Sequence, residues 1–157
     1  RDGDRNIYCF MSDGELDEGN SWEGMMLAGK NKLQNLIAII DRNNIQIDGP
    51  TEKVMPLEDL AGKWKSFGWH VIEIDGHNIQ AIIDACNMAK AIEDIPVVII
   101  AHTIPGKGVD FMEYDDHWHG IPPGIQDLPG DPEKDKQAKI ALHELRTLGG
   151  RIRGEHE

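Results

Sequence analysis

Between Asp13 and Glu18 the chain carries four carboxylates, in the stretch SDGELDEGN, and thirty positions after Asp13 stands Asn43, in DRNNIQIDG. Carboxylate and amide oxygens are hard donors, so the chemistry they offer is capture of a Mg²⁺ or Ca²⁺ ion. A calcium loop of EF-hand type fails on spacing. Counting from Asp13 puts Glu18 where glycine is required and Gly24 where the closing glutamate belongs, and counting from Asp41 puts Gln46 at the glycine position. A magnesium site built from two separate chain segments fits better. Mg²⁺ takes one or two protein carboxylates in near-octahedral geometry and leaves its other positions to phosphate oxygens and water. Asp13 supplies charge, Asn43 a neutral oxygen, and irregular backbone over 44–47 a carbonyl. Gly14, without a Cβ, lets backbone approach a phosphate, and a helix opening near Asn20 adds N–H donors and the positive end of its dipole.

Such a site needs elements that bring Asp13 and Asn43 together. Short β-branched runs at 7–11, 36–40, 71–74 and 95–101 alternate with stretches long enough for helices. Strand and helix in alternation predict an α/β fold, an open, mostly parallel sheet flanked by helices. Adjacent parallel strands end about 5 Å apart, and ligands in such sheets bind beyond the carboxyl ends of the strands. Asp13 follows the first strand and Asn43 the second. Asn20 with Glu23 reads as a capping box opening a helix through Trp22, Met25 and Met26. Pro56 opens another, with Leu57, Leu60, Trp64 and Phe67 on one stripe, and Asn78 caps a third, with Ile79, Ile82, Ile83, Cys86, Ala89 and Ile92 facing the sheet. From about 103 to 135 the chain is rich in Gly, Pro and Asp without periodicity, which predicts a long ordered loop at the active site. A last helix over about 133–148 turns Ile140, Leu145 and Leu148 inward.

Composition narrows the partners. In 157 residues, 16 Lys and Arg stand against 28 Asp and Glu, a formal charge of −12 that repels nucleic acid and anionic membrane surfaces. The apolar runs fall far short of the ~18 residues of a membrane span. A soluble, cytoplasmic protein is expected. Cys9 and Cys86 lie in apolar segments 77 positions apart, outside any CxxC pattern, and read as buried reduced thiols. The sequence opens on Arg1 and enters a strand within a few residues, so it reads as part of a longer polypeptide, residues 1–157 forming one partial domain incomplete at its N-terminus.

Asp-Gly followed after about thirty residues by Asn-Asn resembles the thiamine-diphosphate signature. The flanking text EGNSWEGMMLAGKNKLQNLIAIIDRNNIQIDG, FGWHVIEIDGHN, IPGKGVDFME and WHG resembles, in that order, the diphosphate-binding domain of the transketolase family. The resemblance implies that Asp13 and the side-chain oxygen of Asn43 bind Mg²⁺ or Ca²⁺ with the main-chain carbonyl of Ile45, and that Gly14 and Asn43 contact the diphosphate. It implies that Ile47 packs on the cofactor, that His119 of the WHG triplet touches diphosphate and sugar as the catalytic histidine, and that Glu18 lies at a subunit contact. The implied reaction is transfer of a two-carbon glycolaldehyde unit from a ketose phosphate to an aldose phosphate, with thiamine diphosphate as electron sink.

Two departures stand out. Ser12 replaces the first glycine of the family's GDG, and the sequence holds neither the family's upstream cofactor residues nor its pyrimidine-binding domain. The resemblance therefore implies the N-terminal subunit of a split transketolase, with a separate C-terminal, pyrimidine-binding partner chain, assembled as a homodimer or heterotetramer. A 1-deoxyxylulose-5-phosphate synthase-like enzyme and a non-catalytic assembly module are the competing expectations. Glu15 and Asp17 read as solvated charge, and Lys107 as a loop lysine.

Overall fold

The computed structural model describes residues 5–151, with side chains as far as Leu145. Four parallel strands, β1 (Ile7–Ser12), β2 (Leu36–Arg42), β5 (His70–Asp75) and β6 (Val97–His102), form one sheet in the order β1-β2-β6-β5. Two-residue strands β3 (Ile45–Gln46) and β4 (Gly49–Pro50) make a small antiparallel hairpin beyond the end of β2. The helices are α1 (Gly19–Lys30), α2 (Thr51–Val54), α3 (Leu60–Ser66), α4 (Ile79–Ala91) and α5 (Lys134–Arg151).

Both faces of the sheet are covered, and the central strand shows it. In β6, Val98 and Ile100 face a core built with Leu16, Met25, Leu57, Leu60 and Trp64, while Val97 and Ile99 face Ala85 and Ala89 of α4. A strand buried on both sides reads as a continuous apolar run, which is why VVII was legible. β1 differs. Among the described residues it is an edge strand, with Ile7 57% and Phe10 71% exposed. Cys9 is exposed with it and Cys86 half-buried, so the expectation of two buried thiols is wrong for the edge-strand cysteine; both are free.

The helix expectations need correction at four places. Asn20 is not a cap: α1 starts at Gly19 behind Glu18, and no side chain caps it. Its start is pinned instead by Ser21 Oγ donating to the Glu15 carbonyl (2.7 Å) and Trp22 Nε1 donating to the Leu16 carbonyl (2.7 Å), which lock the helix onto the 3₁₀ turn Gly14–Asp17. Met25 is buried and Met26 exposed. Pro56 does not open α3; Asp59 does, its Oδ1 accepting the Gly62 N–H at 3.0 Å, although Leu57, Leu60 and Trp64 are buried as the stripe requires. Asn78 caps α4 as expected, accepting the Ala81 N–H. Ile79 and Ile83, however, stay exposed, because the sheet meets α4 along the Ala85–Ala89 side. In α5 the inward positions are Gln137 and Ala141 and Leu145 is exposed; the side chain of Leu148 lies outside the described residues.

The segment from Thr103 to α5 is irregular but tied down. Val109 and Trp118 are buried, Phe111 packs edge-on against Trp118 with centroids 5.2 Å apart, and Trp118 Nε1 donates to Asp131. Gly106 has φ +71°, and a Cβ there would run into the Met112 backbone, so this turn requires glycine. Among the described residues, no helix is long and apolar enough to cross a membrane.

Candidate functional site at the ends of β1 and β2

β1 and β2 run in register, Ser12 opposite Asp41, so the residues that follow each strand emerge side by side. Ser12 is the last residue of β1 and therefore extended, a conformation open to any residue. Its N–H and hydroxyl both donate to Glu15 Oε2, at 2.8 and 3.2 Å. The serine in place of glycine thus costs no backbone strain and closes the acidic turn on itself. Glu15 is exposed, as expected of solvated charge, and is also held by these bonds.

Asp13 is fully buried. Its Oδ2 accepts the Asn44 N–H at 2.6 Å and the Thr51 hydroxyl at 3.4 Å and pairs with Arg42 Nη1 at 3.1 Å. Its Oδ1 is buried with no hydrogen-bond partner. Asn44 can aim its N–H at Asp13 because it sits at φ +65°, a left-handed conformation that Asn tolerates better than most residues. Burial pushes the Asp13 pKa up, against the opposing pull of the Arg42 charge and the Asn44 N–H.

Asn43 Oδ1 accepts the Ile45 N–H at 3.0 Å and its Nδ2 donates to Asp41 at 3.3 Å, which folds the side chain over its own turn. An amide oxygen has a second lone pair, so this bond leaves capacity for a cation. Ile45 is buried and lies opposite Pro50, which has no N–H to offer its carbonyl. Ile47 is 84% exposed at the hairpin tip. Gly14 opens the 3₁₀ turn and faces Gln46, whose Oε1 would lie 3.4 Å from an added Cβ.

A residue outside the sequence expectations organises the floor of this site. Arg42, 2% exposed, reaches Asp13 with Nη1, and with Nη2 reaches Glu52 at 2.7 Å and Glu58 at 2.8 Å. Burial works to lower its pKa, but the Glu58 hydrogen bond, the charge of Asp13 and the Glu52 hydrogen bond outweigh that, and the guanidinium is held charged. The signal was in the strand's period of two: Arg42 shares a face with the buried Ala38 and Ile40. Asp17 also departs from expectation. Its Oδ1 is buried without a partner, and burial together with the charges of Glu18 and Glu52 raises its pKa.

Glu18 is exposed at the mouth of α1. His119 is exposed at the end of the 3₁₀ turn Asp116–Trp118, its backbone N–H donating to the Asp116 carbonyl, and this turn packs against β4. The loop histidine is thereby brought to the hairpin side of the Asp13 turn without a side-chain bond to it. Asp115, Asp116 and His117 cluster within 4.8 Å, but Asp115 Oδ1 accepts both the N–H and Nδ1 of His117, so the cluster is accounted for as a capped turn. Beside the floor, a largely apolar cavity of about 460 Å³ opens toward α4, lined at its rim by Asp41, Asn43, His77 and Thr103. Lys107 pairs with Glu113 at 3.8 Å.

The residues fit the group that the sequence points to. Asp13 carries an orphaned, buried carboxylate oxygen, and its other oxygen is bonded to the N–H of Asn44, in the turn that carries the Asn43 amide oxygen and the Ile45 carbonyl; hard oxygens of these kinds are what a small divalent cation takes.

Residues 2–135 match the family described as transketolase, thiamine diphosphate binding domain. Among curated relatives, the chain is 50% identical over 107 residues to the 6-deoxy-6-sulfo-D-fructose transketolase subunit SqwG of Clostridium sp. (strain MSTE9), covering 68% of this chain and 39% of that protein. It is 43% identical over 124 residues to an apulose-4-phosphate transketolase subunit of Phocaeicola vulgatus, covering 78% and 44%, and 38% identical over 116 residues to human transketolase, covering 74% and 18%. The chain thus spans less than half the length of these relatives. Among solved structures, transketolase from Campylobacter jejuni aligns with a TM-score of 0.67 at 27% identity, covering 96% of this chain and 26% of that one. The parallel sheet, the strand-end donor set and these matches agree: the chain belongs to the transketolase family, within its thiamine-diphosphate-binding domain.

Proposed function

We propose that this chain forms the cation- and diphosphate-holding part of a two-subunit transketolase, whose partner chain supplies the pyrimidine-binding domain. The observation that carries the reading is Asp13 Oδ1, buried and unpartnered at the strand end beside the Asn43–Ile45 turn. Asp13, Asn43 and the Ile45 carbonyl would hold Mg²⁺ or Ca²⁺. Gly14 and Asn43 would meet the diphosphate and Ile47 the cofactor body. When bound, thiamine diphosphate supplies the electron sink for cleavage of a carbon–carbon bond. This chain's part is to fix the diphosphate end and present His119. A histidine, whose ordinary pKa lies near neutrality, can hydrogen-bond a sugar oxygen or move a proton there. Glu18, projecting from the mouth of α1, would meet a second subunit in a homodimer or heterotetramer.

The implied reaction moves a two-carbon unit from a ketose to an aldose acceptor. The two relatives named as subunits carry in their names sugars with different anionic groups, a sulfo group and a phosphate. We take the donor to be a ketose with a terminal anionic group, sugar phosphates first.

The test is product analysis with the full-length chain and its partner subunit. Xylulose 5-phosphate, 6-deoxy-6-sulfofructose and apulose 4-phosphate are offered as donors with an aldose phosphate acceptor, and pyruvate with glyceraldehyde 3-phosphate is offered in parallel. Two-carbon transfer from at least one ketose is expected. Formation of deoxyxylulose phosphate alone would reassign the reaction, and cofactor binding with no donor cleavage would make the chain an assembly module.

A further inference from the structure

Arg42 is a buried cation placed against the carboxylate read as a cation ligand, which at first sight opposes metal binding. We infer that Arg42 is the positioning residue of the cation site: it fixes Asp13 through Oδ2 so that Oδ1 faces the ion, and it ties that orientation to the segment leading into α3. This rests on the reading of Asp13 as a cation ligand.

The geometry carries the inference in three ways. A carboxylate held by a single contact can turn about its terminal torsion, which is broad. Asp13 Oδ2 is instead held from two elements, by hydrogen bonds from the Asn44 N–H just beyond β2 and the Thr51 hydroxyl in α2 and by the 3.1 Å ion pair with Arg42 Nη1, which makes no hydrogen bond, so the carboxylate plane is set and Oδ1 has one direction to face. Arg42 is fixed in turn. Nη2 meets Glu52 and Glu58 at 2.7 and 2.8 Å, and each glutamate also accepts a backbone N–H, of Leu57 at 3.1 Å and of Leu60 at 3.2 Å. Leu57 and Leu60 are 2% exposed in the core, so the anchor of the guanidinium is the packed core itself. A planar guanidinium can serve a carboxylate on one edge and two more on another, whereas an ammonium cannot span them. Finally, three carboxylates around one guanidinium leave a formal charge of −2, which a divalent cation neutralises. The arginine and the metal ion are partners in one balanced cluster.

The test uses the full-length protein with thiamine diphosphate and its partner subunit, and reads Mn²⁺ affinity from the free-ion EPR signal, with a melting curve of each variant alongside. Arg42→Lys and Arg42→Gln are both expected to weaken Mn²⁺ binding about 10–100-fold, the range for outer-shell partners of a metal ligand. A purely electrostatic arginine predicts otherwise: the lysine variant like the parent and the glutamine variant tighter. Either of those results, or affinities within about threefold of the parent, overturns the inference. Should the Arg42 variants fail to fold, the pair Glu52→Asp with Glu58→Asp keeps the charge on two exposed-side carboxylates and shortens both arms. The expected outcome is Mn²⁺ binding weakened about tenfold, and unchanged binding overturns the inference equally. Asp13→Asn separates the two levels. If it keeps Mn²⁺ affinity, the cation-site reading itself has failed; if it loses affinity while the Arg42 and glutamate variants do not, only the positioning role falls.

Discussion

Asp13 and His119 occupy opposite extremes of fixation within one site. Asp13 is fully buried, and its Oδ2 meets two hydrogen-bond donors and an ion-pair partner from the end of β2 and from α2. His119 is exposed at the end of a 3₁₀ turn, held by its backbone and by the burial of the neighbouring Trp118. The contrast matches the two tasks proposed for them. A cation and diphosphate that stay through many turnovers require a rigid, pre-organised floor, whereas a sugar that enters and leaves requires a group on a surface loop.

The largest expected effect comes from undermining the floor. Leu16 sits in the 3₁₀ turn that follows Asp13 and is fully buried in the core with Met25 and Trp64. Leu16→Ala is expected to cost about 3–4 kcal/mol in denaturant unfolding and to weaken cation binding with it. A loss of stability with unaltered Mn²⁺ affinity would break the link between core and site.

The loop should behave in the reverse way. His119→Ala is expected to lower kcat/KM for the ketose about a hundredfold, or about 2.7 kcal/mol of transition-state stabilisation, with cofactor affinity within about threefold. Cofactor affinity falling in parallel with turnover would place His119 on the floor. A smaller effect follows from Phe111→Ala, which removes the ring packed on Trp118. About 1–2 kcal/mol of stability is expected, with cation affinity untouched, since that contact lies within the loop.

The smallest expected effect is a titration shift. The hydrogen bond that His117 donates to Asp115, and then the Asp115 charge, raise the pKa of His117 above the ordinary 6.5. A group whose folded pKa is raised stabilises below its unfolded pKa, and that stabilisation is lost as pH rises through the folded value. NMR of the histidine ring should show His117 titrating above 6.5, and Asp115→Asn should return it toward that value. Identical titrations in both proteins would remove the pair.

Much of the fold was legible because its central strands are buried on both faces and its helices bury narrow stripes. The runs in β2 and β6 and the Leu57, Leu60, Trp64 series declare themselves on composition and period. The start of α1 was not legible as an Asn20 capping box, because it depends on side chains reaching back to carbonyls of the preceding turn. The hairpin β3–β4 and α2 are too short to carry any period.

For the candidate site, residue type and spacing pointed to Asp13, Gly14 and Asn43, and the structure sets the turns that carry them side by side. Arg42 was passed over because a charge directly after an apolar run reads as the chain leaving the sheet. Its partners Glu52 and Glu58 come from a segment whose approach depends on the hairpin. Cys9 was misjudged since an edge strand and a buried strand share the same β-branched vocabulary.

The most direct measurement is calorimetric titration of thiamine diphosphate with Mg²⁺ into the assembled full-length enzyme, beside Asp13→Asn, with apo melting curves near neutral pH. Burial raises the Asp13 pKa, so its contribution to stability is present below the unfolded value of 3.8 and lost as pH rises through the folded one; at neutral pH the buried charge is a cost that the neutral amide of the variant would not carry. Tight, Mg²⁺-dependent binding in the parent, its loss by at least about a hundredfold in the variant, and an apo melting temperature equal to or above the parent's are the predicted result. Binding that survives in Asp13→Asn would contradict the account, because the buried, unpartnered oxygen would then serve no cation.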